Sequence, residues 1–236
     1  MAGGGGRPMG ALRVAALIPA YQAAASVAGV VRGVLPHIPQ VLVVDDGSTD
    51  ATAAAARDAG AEVVRHAANR GKGAALVTGL AHLAAAGATH ALTLDADGQH
   101  LPDEIPKLLA VSARTPRALV IGVRMKEGHA IRGVNRLGNW VADRLMTRIA
   151  GTALPDTQSG FRVYPIAVTL ALGARGSRFD FETEILLRAA RAGLPLEGVP
   201  VGVHYPPVAE RVSHYRPWVD TGRIVRTVAR IVVGGG

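Results

Sequence analysis

Short, almost wholly apolar runs rich in β-branched residues alternate with alanine-rich stretches through the first half of the chain. No other feature constrains the fold as strongly. Val14 to Ala20 reads as a strand and Ala23 to Leu35 as a helix, then Val41 to Asp46 as a strand and Ala51 to Gly60 as a helix. Glu62 to His66 is a short strand before a helix over Gly73 to Gly87. His90 to Asp95 is a strand before a helix over Asp103 to Arg114, and Ala118 to Arg124 is a fifth strand. Strands without a polar face are buried on both sides, so the rhythm predicts an α/β fold: a mostly parallel sheet with helices on both faces. Such sheets bind ligands beyond the carboxyl ends of their strands.

After Arg124 the rhythm breaks. The pattern predicts a basic amphipathic helix over Ile131 to Ala150, a short strand over Gly160 to Tyr164 and a helix over Phe181 to Ala192. A strand over Leu196 to Tyr205 and a terminal helix over Pro217 to Val233 follow. At 236 residues the chain accommodates one domain with a sizeable core. The expectation is a flexible segment over 1–10 and a single domain over 11–236, with a nucleotide-binding half (11–125) and an acceptor-binding half (126–236).

Composition narrows the chemistry. With no cysteine, disulfides and thiolate metal sites are excluded. A formal charge of +8 favours acidic partners such as phosphates or an anionic membrane surface, although an arginine-rich codon bias explains charge equally well. Aromatic residues, 4% of the chain, are scarce and unclustered, which argues against single-stranded nucleic acid. The first ten residues carry no signal-peptide pattern and no stretch reads as a transmembrane helix. The expectation is a cytoplasmic protein, peripheral at most on the membrane face. The terminal helix sets Trp218, Ile224, Val225 and Val228 among arginines, a pattern that fits either a membrane surface or packing on the domain itself.

Three loops at strand ends carry candidate chemistry. The first strand leads into Pro19-Ala20-Tyr21-Gln22 without the GxGxxG of a dinucleotide site. The second ends in Asp45-Asp46-Gly47-Ser48, where a carboxylate can accept hydrogen bonds from a base or ribose, while Ser48, Thr49 or Asp50 caps the next helix. The fourth ends in Asp95-Ala96-Asp97-Gly98-Gln99. In an extended chain alternate side chains share a side, so Asp95, Asp97 and Gln99 present three hard oxygens suited to Mg²⁺ or Mn²⁺. Between them, Asn69-Arg70-Gly71-Lys72-Gly73 opens a helix, where the basic pair either contacts phosphate or is solvated. Arg124, Arg132, Arg136, Arg144 and Arg148 recur at spacings that include four residues, and arginine grips phosphate bidentately; a solvated helix face is the alternative.

The segments IPAYQ, VVDDGSTD, NRGKGAA and DADGQH, in that order, followed by IGVR, DTQSGFR, FDFETEIL and SHYRP, resemble family 2 glycosyltransferases of the GT-A fold. Within that family they are most similar to the dolichyl- or polyprenyl-phosphate mannosyl- and glucosyltransferases. The resemblance spans Val14 to Ile224. It implies a nucleotide-sugar donor of the GDP-mannose or UDP-glucose type and inversion at the sugar C1 by single displacement. It also implies a metal on Asp95, Asp97 and Gln99, and nucleoside contacts from Pro19, Tyr21, Asp45 and Asp46, with Lys72 on the donor side. Arg124 and either Arg132 or Arg136 would bind the acceptor phosphate, joined by Arg211 and His214. The chain departs from the pattern at Ala23, where relatives often carry an acidic residue, and at Ser213-His214, where many have Ser-Lys. Two other readings stand beside a polyprenyl-phosphate acceptor. One is transfer to a hydroxyl with Asp156 as general base, and the other is a non-enzymatic basic module on membranes or nucleic acid.

Overall fold

The computed structural model describes residues 12–125, 154–174, 176, 178, 180–204 and 226–228. The expected helix over Ile131 to Ala150, most of the expected terminal helix, and Arg132, Arg136, Arg211 and His214 lie outside these residues, as does the glycine-rich start.

Seven strands form one sheet: β1 (Val14–Ala20), β2 (Val41–Asp45), β3 (Glu62–Arg65), β4 (His90–Thr93), β5 (Leu119–Arg124), β6 (Arg162–Pro165) and β7 (Leu196–Val201). Their order is β3-β2-β1-β4-β6-β5-β7. β1, β2, β3 and β4 are parallel, and β5 pairs in parallel with β7. β6 is antiparallel to both β4 and β5, so the sheet is mostly parallel with one reversed strand.

Side chains alternate across the sheet, and two cores result. Ala16 and Ile18 of β1 and Val43 of β2 face α1 (Val27–Val34), α2 (Thr52–Asp58) and α4 (Ile105–Arg114). Leu17, Leu42 and Val44 face α3 (Lys72–Ala85), α5 (Ile166–Ala171) and α6 (Asp180–Arg191). A 3₁₀ turn over Pro102–Glu104 leads into α4, its proline placed where the missing N–H is not needed. Asp50, rather than a residue directly at the cap, satisfies the start of α2: its Oδ1 accepts from the Thr52 N–H at 3.0 Å.

Two features depart from the sequence expectation. α5 was not expected, because Ile166, Val168 and Thr169 favour a strand by propensity. Ile166, buried, and Leu170 instead pack in the core under α3, and tertiary contact overrides the weak local preference. The last strand ends at Val201 rather than Tyr205; among the described residues beyond it, Val203 pairs in an isolated bridge with His100. Thr227 and Val228 are helical and buried, and the Thr227 hydroxyl donates to Asp180 Oδ2 at 3.2 Å. At these two residues the chain's end packs on the domain. No helix among the described residues is long and apolar enough to cross a membrane.

Two helical glycines separate packing from propensity. A Cβ on Gly29 of α1 would meet nothing within 4 Å, whereas one on Gly79 of α3 would lie 2.2 Å from Leu17 Cδ1 in the core. Gly29→Ala is expected to raise stability by about 0.5–1 kcal/mol through lost unfolded-state freedom. Gly79→Ala should lower it by roughly 1–3 kcal/mol through overpacking. Equilibrium denaturation of both variants measures the difference, and equal effects of the same sign would contradict the packing of α3 on β1.

Candidate active site

The loops after β1 and β2 are built as one unit. Gln22 sits in the left-handed region (φ 51°), and its amide holds the neighbouring loop: Oε1 accepts from the Thr49 and Asp50 N–H groups at 3.2 Å, and Nε2 donates to Thr49 Oγ1 at 2.8 Å. The Gln22 N–H donates to Ser48 Oγ at 2.9 Å. Pro19 and Ala20 lie in β1 opposite Val44 and Asp45, and Tyr21 follows, partly exposed.

Asp45 and Asp46 are both buried, and their oxygens are engaged within the chain. Asp45 Oδ1 accepts from the Ser48 N–H at 3.0 Å, and Arg65 Nε lies 3.0 Å from its Oδ2. Asp46 does more. Oδ1 meets His66 Nδ1 at 2.7 Å and the Arg70 N–H at 2.9 Å, while Oδ2 accepts from the Gly71 N–H at 2.7 Å. His66 Nε2 in turn meets Thr78 Oγ1 at 3.0 Å. Asp46 thereby pins the turn that starts α3, where Gly71 adopts a φ of 95° that only glycine takes without strain. Gly47 is needed for the same approach: a Cβ there would lie 2.5 Å from the Ala68 backbone carbon.

That pinned turn delivers Lys72, the first residue of α3, into the centre of the site. Its ammonium lies 2.5 Å from Asp95 Oδ1 and 2.9 Å from Glu182 Oε1. Asp95 follows β4, and Glu182 sits in the first turn of α6, so one cation joins three elements. Burial disfavours the ammonium charge, but the two carboxylates outweigh this and hold the Lys72 pKa above its ordinary value. Burial likewise works against the Asp95 charge, yet Lys72 and then His100 hold its carboxyl well below the usual carboxylate range. His100 is buried against Phe161, ring centroids 5.2 Å apart, with Nε2 3.5 Å from Asp95 Oδ2. Gly160 closes the cradle, for a Cβ there would lie 2.7 Å from Asp95 Oδ2.

Asp97 differs from Asp95. It is exposed, its Oδ1 accepts from the Gln99 N–H at 3.0 Å, and among the described residues the ion pairs reach Asp95 but not Asp97. Although its side chain reaches solvent, partial desolvation of the carboxyl by the atoms around it, and then the Asp95 charge, raise its pKa. Two adjacent carboxylates, one of them outside every ion pair among the described residues, could hold a hard divalent cation. No group of three His, Asp or Glu side chains among the described residues has metal-holding geometry, so a cation here leans on further oxygens such as Gln99 or a bound phosphate.

Arg124, at the end of β5, forks onto Asp156: Nε donates to Oδ2 at 2.6 Å and Nη2 to Oδ1 at 2.9 Å. Burial opposes the Asp156 charge, but Arg124 holds its pKa below the ordinary value. Arg162 on β6 is fully buried and donates to the Ser159, Thr157 and Glu182 carbonyls at 2.7, 2.9 and 2.8 Å, setting the 156–160 loop beside Asp95. Glu182, His100 and Arg162 were not singled out from the sequence. An acidic residue in the first turn of a helix looks like ordinary dipole compensation. Arg162, set in the apolar run Phe161-Arg162-Val163-Tyr164, did carry a signal, since an arginine there must find buried partners.

Asp46→Asn replaces a carboxylate that accepts from two backbone N–H groups and a histidine. The variant is expected to lose about 1–3 kcal/mol of stability without any ligand present, as a buried donor goes unsatisfied. Urea denaturation checks this. Undiminished ligand-free stability with weaker nucleotide binding would instead make Asp46 a ligand contact.

The chain and its sheet are similar to known proteins. Residues 15–170 match Glycosyl transferase family 2. The chain is 28% identical over 212 residues to the UDP-N-acetylglucosamine–dolichyl-phosphate N-acetylglucosaminyltransferase of Methanococcus voltae, covering 80% of this chain and 84% of that one. It is 30% identical over 210 residues to the undecaprenyl-phosphate mannosyltransferase of Micrococcus luteus, covering 80% and 83%. In fold it is similar to glucosyl-3-phosphoglycerate synthase of Mycobacterium tuberculosis, solved with Mn²⁺, UDP and glucosyl-3-phosphoglycerate. The TM-score is 0.72 at 22% identity, over 94% of this chain and 79% of that one. With a GT-A sheet and a carboxylate pair at the end of β4, the chain belongs to glycosyl transferase family 2 and is a glycosyltransferase.

Proposed function

We propose that the protein moves a hexose from a nucleotide sugar to a polyprenyl phosphate by metal-assisted single displacement, with inversion at the sugar C1. The observation that carries this reading is the Asp95–Asp97 pair at the carboxyl edge of β4, one member held by Lys72 and the other exposed. Ligands bind open α/β sheets along this edge. Asp95, Asp97 and Gln99 would hold Mg²⁺ or Mn²⁺ together with the donor diphosphate. When bound, such a cation supplies charge neutralisation to the departing diphosphate.

The chain's own residues orient the donor. Pro19 lies near the end of β1 and Tyr21 on the loop after it, which Gln22 ties to Ser48 and Thr49, so the nucleoside-facing loops are preorganised. Asp45, through its Ser48 and Arg65 contacts, and Asp46, through the α3 turn, are assigned to shaping that pocket, and Lys72 acts on the donor through Asp95.

Acceptor chemistry follows from the remaining charges. A phosphate oxygen is ionised at neutral pH and attacks without a general base. Asp156 is a weak base, bidentate on Arg124 with a depressed pKa, which favours the phosphate acceptor over a hydroxyl. Two relatives named for dolichyl- and undecaprenyl-phosphate support the same choice. Arg124, with Arg132, Arg136, Arg211 and His214, is assigned to the acceptor side, where the lipid would be met at the cytoplasmic surface of a membrane. A purely non-enzymatic basic module is set aside by family membership.

A thermal-shift panel of UDP, GDP and their sugars, with and without Mn²⁺, tests the donor side. One diphosphate at about 100 times its Kd should stabilise the protein by about 2.7 kcal/mol, only with metal and not in Asp97→Ala. Radiolabelled transfer should then require a phosphorylated polyprenol and survive in Asp156→Asn. Transfer to the free alcohol, lost in Asp156→Asn, would replace this reading with the hydroxyl mechanism.

A further inference from the structure

Lys72 presents a problem that the site alone does not resolve. A fixed ammonium 2.5 Å from Asp95 Oδ1 competes with any divalent cation for the same carboxylate. Like charges repel over that distance, so a cation can use Asp95 only if the ammonium has somewhere else to go. Glu182 supplies that place. Its carboxylate is buried, lies 2.9 Å from the same Nζ, and belongs to a different element, so it can hold Lys72 without moving β4.

The surroundings favour such a transfer. The Glu182 side chain is 5% exposed against 30% for Asp95, so Lys72 stays desolvated on the Glu182 side while Asp95 opens towards the donor edge. Glu182 is itself kept in place: its backbone carbonyl accepts from Arg162 Nη1 at 2.8 Å, and Arg162 also holds the loop bearing Gly160. Charge also fits. Asp95, Asp97 and Glu182 set three carboxylates against the one ammonium of Lys72, an excess of two that matches a divalent cation, and removing the Glu182 carboxylate cuts that excess to one.

We propose that Glu182 is a positioning residue that draws the Lys72 ammonium off Asp95 and so makes Asp95 available to a divalent cation. Resting on the metal site of the proposed function, this predicts a counterintuitive result. Glu182→Gln removes the carboxylate that competes with Asp95 for the Lys72 ammonium, which tightens the Lys72–Asp95 pair and weakens cation binding, although Glu182 is no ligand of the cation.

The test is Mn²⁺ binding in the presence of UDP or GDP, whichever stabilises the wild type, by isothermal titration calorimetry on the full chain. Glu182→Gln should weaken Mn²⁺ binding by about tenfold or more, in the range of ordinary coupling between sites. Glu182→Asp should keep most of the affinity. Lys72→Met combined with Glu182→Gln should restore binding to at least the wild-type level, because the competitor is gone, and removing both partners of a buried pair is better tolerated than removing one. If Glu182→Gln does not fold, the double variant alone decides: binding as tight as wild type supports the inference and weaker binding overturns it. A merely structural Glu182 would lower ligand-free stability, leave Mn²⁺ affinity unchanged in the folded fraction, and gain nothing from Lys72→Met. Wild type that binds no Mn²⁺ with any diphosphate would overturn the functional reading, and this inference with it; wild-type binding with an unaffected Glu182→Gln overturns the inference alone.

Discussion

The Lys72 ammonium between Asp95 and Glu182 is the contact on which the rest of the site depends. It joins the start of α3, the end of β4 and the first turn of α6, elements far apart in sequence. A buried ion cluster of this kind adds little net stability, since desolvating each charge offsets much of the attraction. Its value is geometric. It holds Asp95 Oδ1 to the start of α3, while Asp97 remains exposed.

Much of the surrounding structure exists to keep that cluster in place. Asp46 grips the Arg70 and Gly71 amides so that α3 begins where Lys72 can reach Asp95. Arg162 takes three carbonyls and brings the 156–160 loop against the same carboxylate. Gly160 is required where that loop passes Asp95, and Thr93 Oγ1 fastens it by donating to the Gly160 carbonyl at 2.7 Å. These contacts are satisfied within the protein, so the loops beside the end of β4 are held in place before any ligand binds.

The parallel half of the fold was legible because its signals are local and redundant: apolar strands, alanine-rich helices and glycine turns repeat at the same interval from Val14 to Arg124. The strand expected over Gly160 to Tyr164 is present as β6, but its reversed direction and the six-residue α5 carry no such period, and packing decides them. In the site, Asp95 and Asp97 were legible from spacing at a strand end. The division of labour between them was not, because it arises from Lys72 and Glu182, brought together only in the folded chain. Asp45 and Asp46 illustrate the same limit. A carboxylate that binds a ligand and one that pins a backbone turn look alike in sequence, and only the partners, His66, Arg70 and Gly71 for Asp46, distinguish them.

In the proposed function, a divalent cation meets the donor diphosphate at the Asp95–Asp97 edge. Anomalous diffraction from crystals grown with Mn²⁺ and the stabilising nucleoside diphosphate tests it most directly. One manganese peak is expected within coordinating distance of both carboxylates and of diphosphate oxygens, with the Lys72 ammonium shifted towards Glu182. A manganese peak away from Asp97, or diphosphate bound in that edge with no metal beside it, would contradict it.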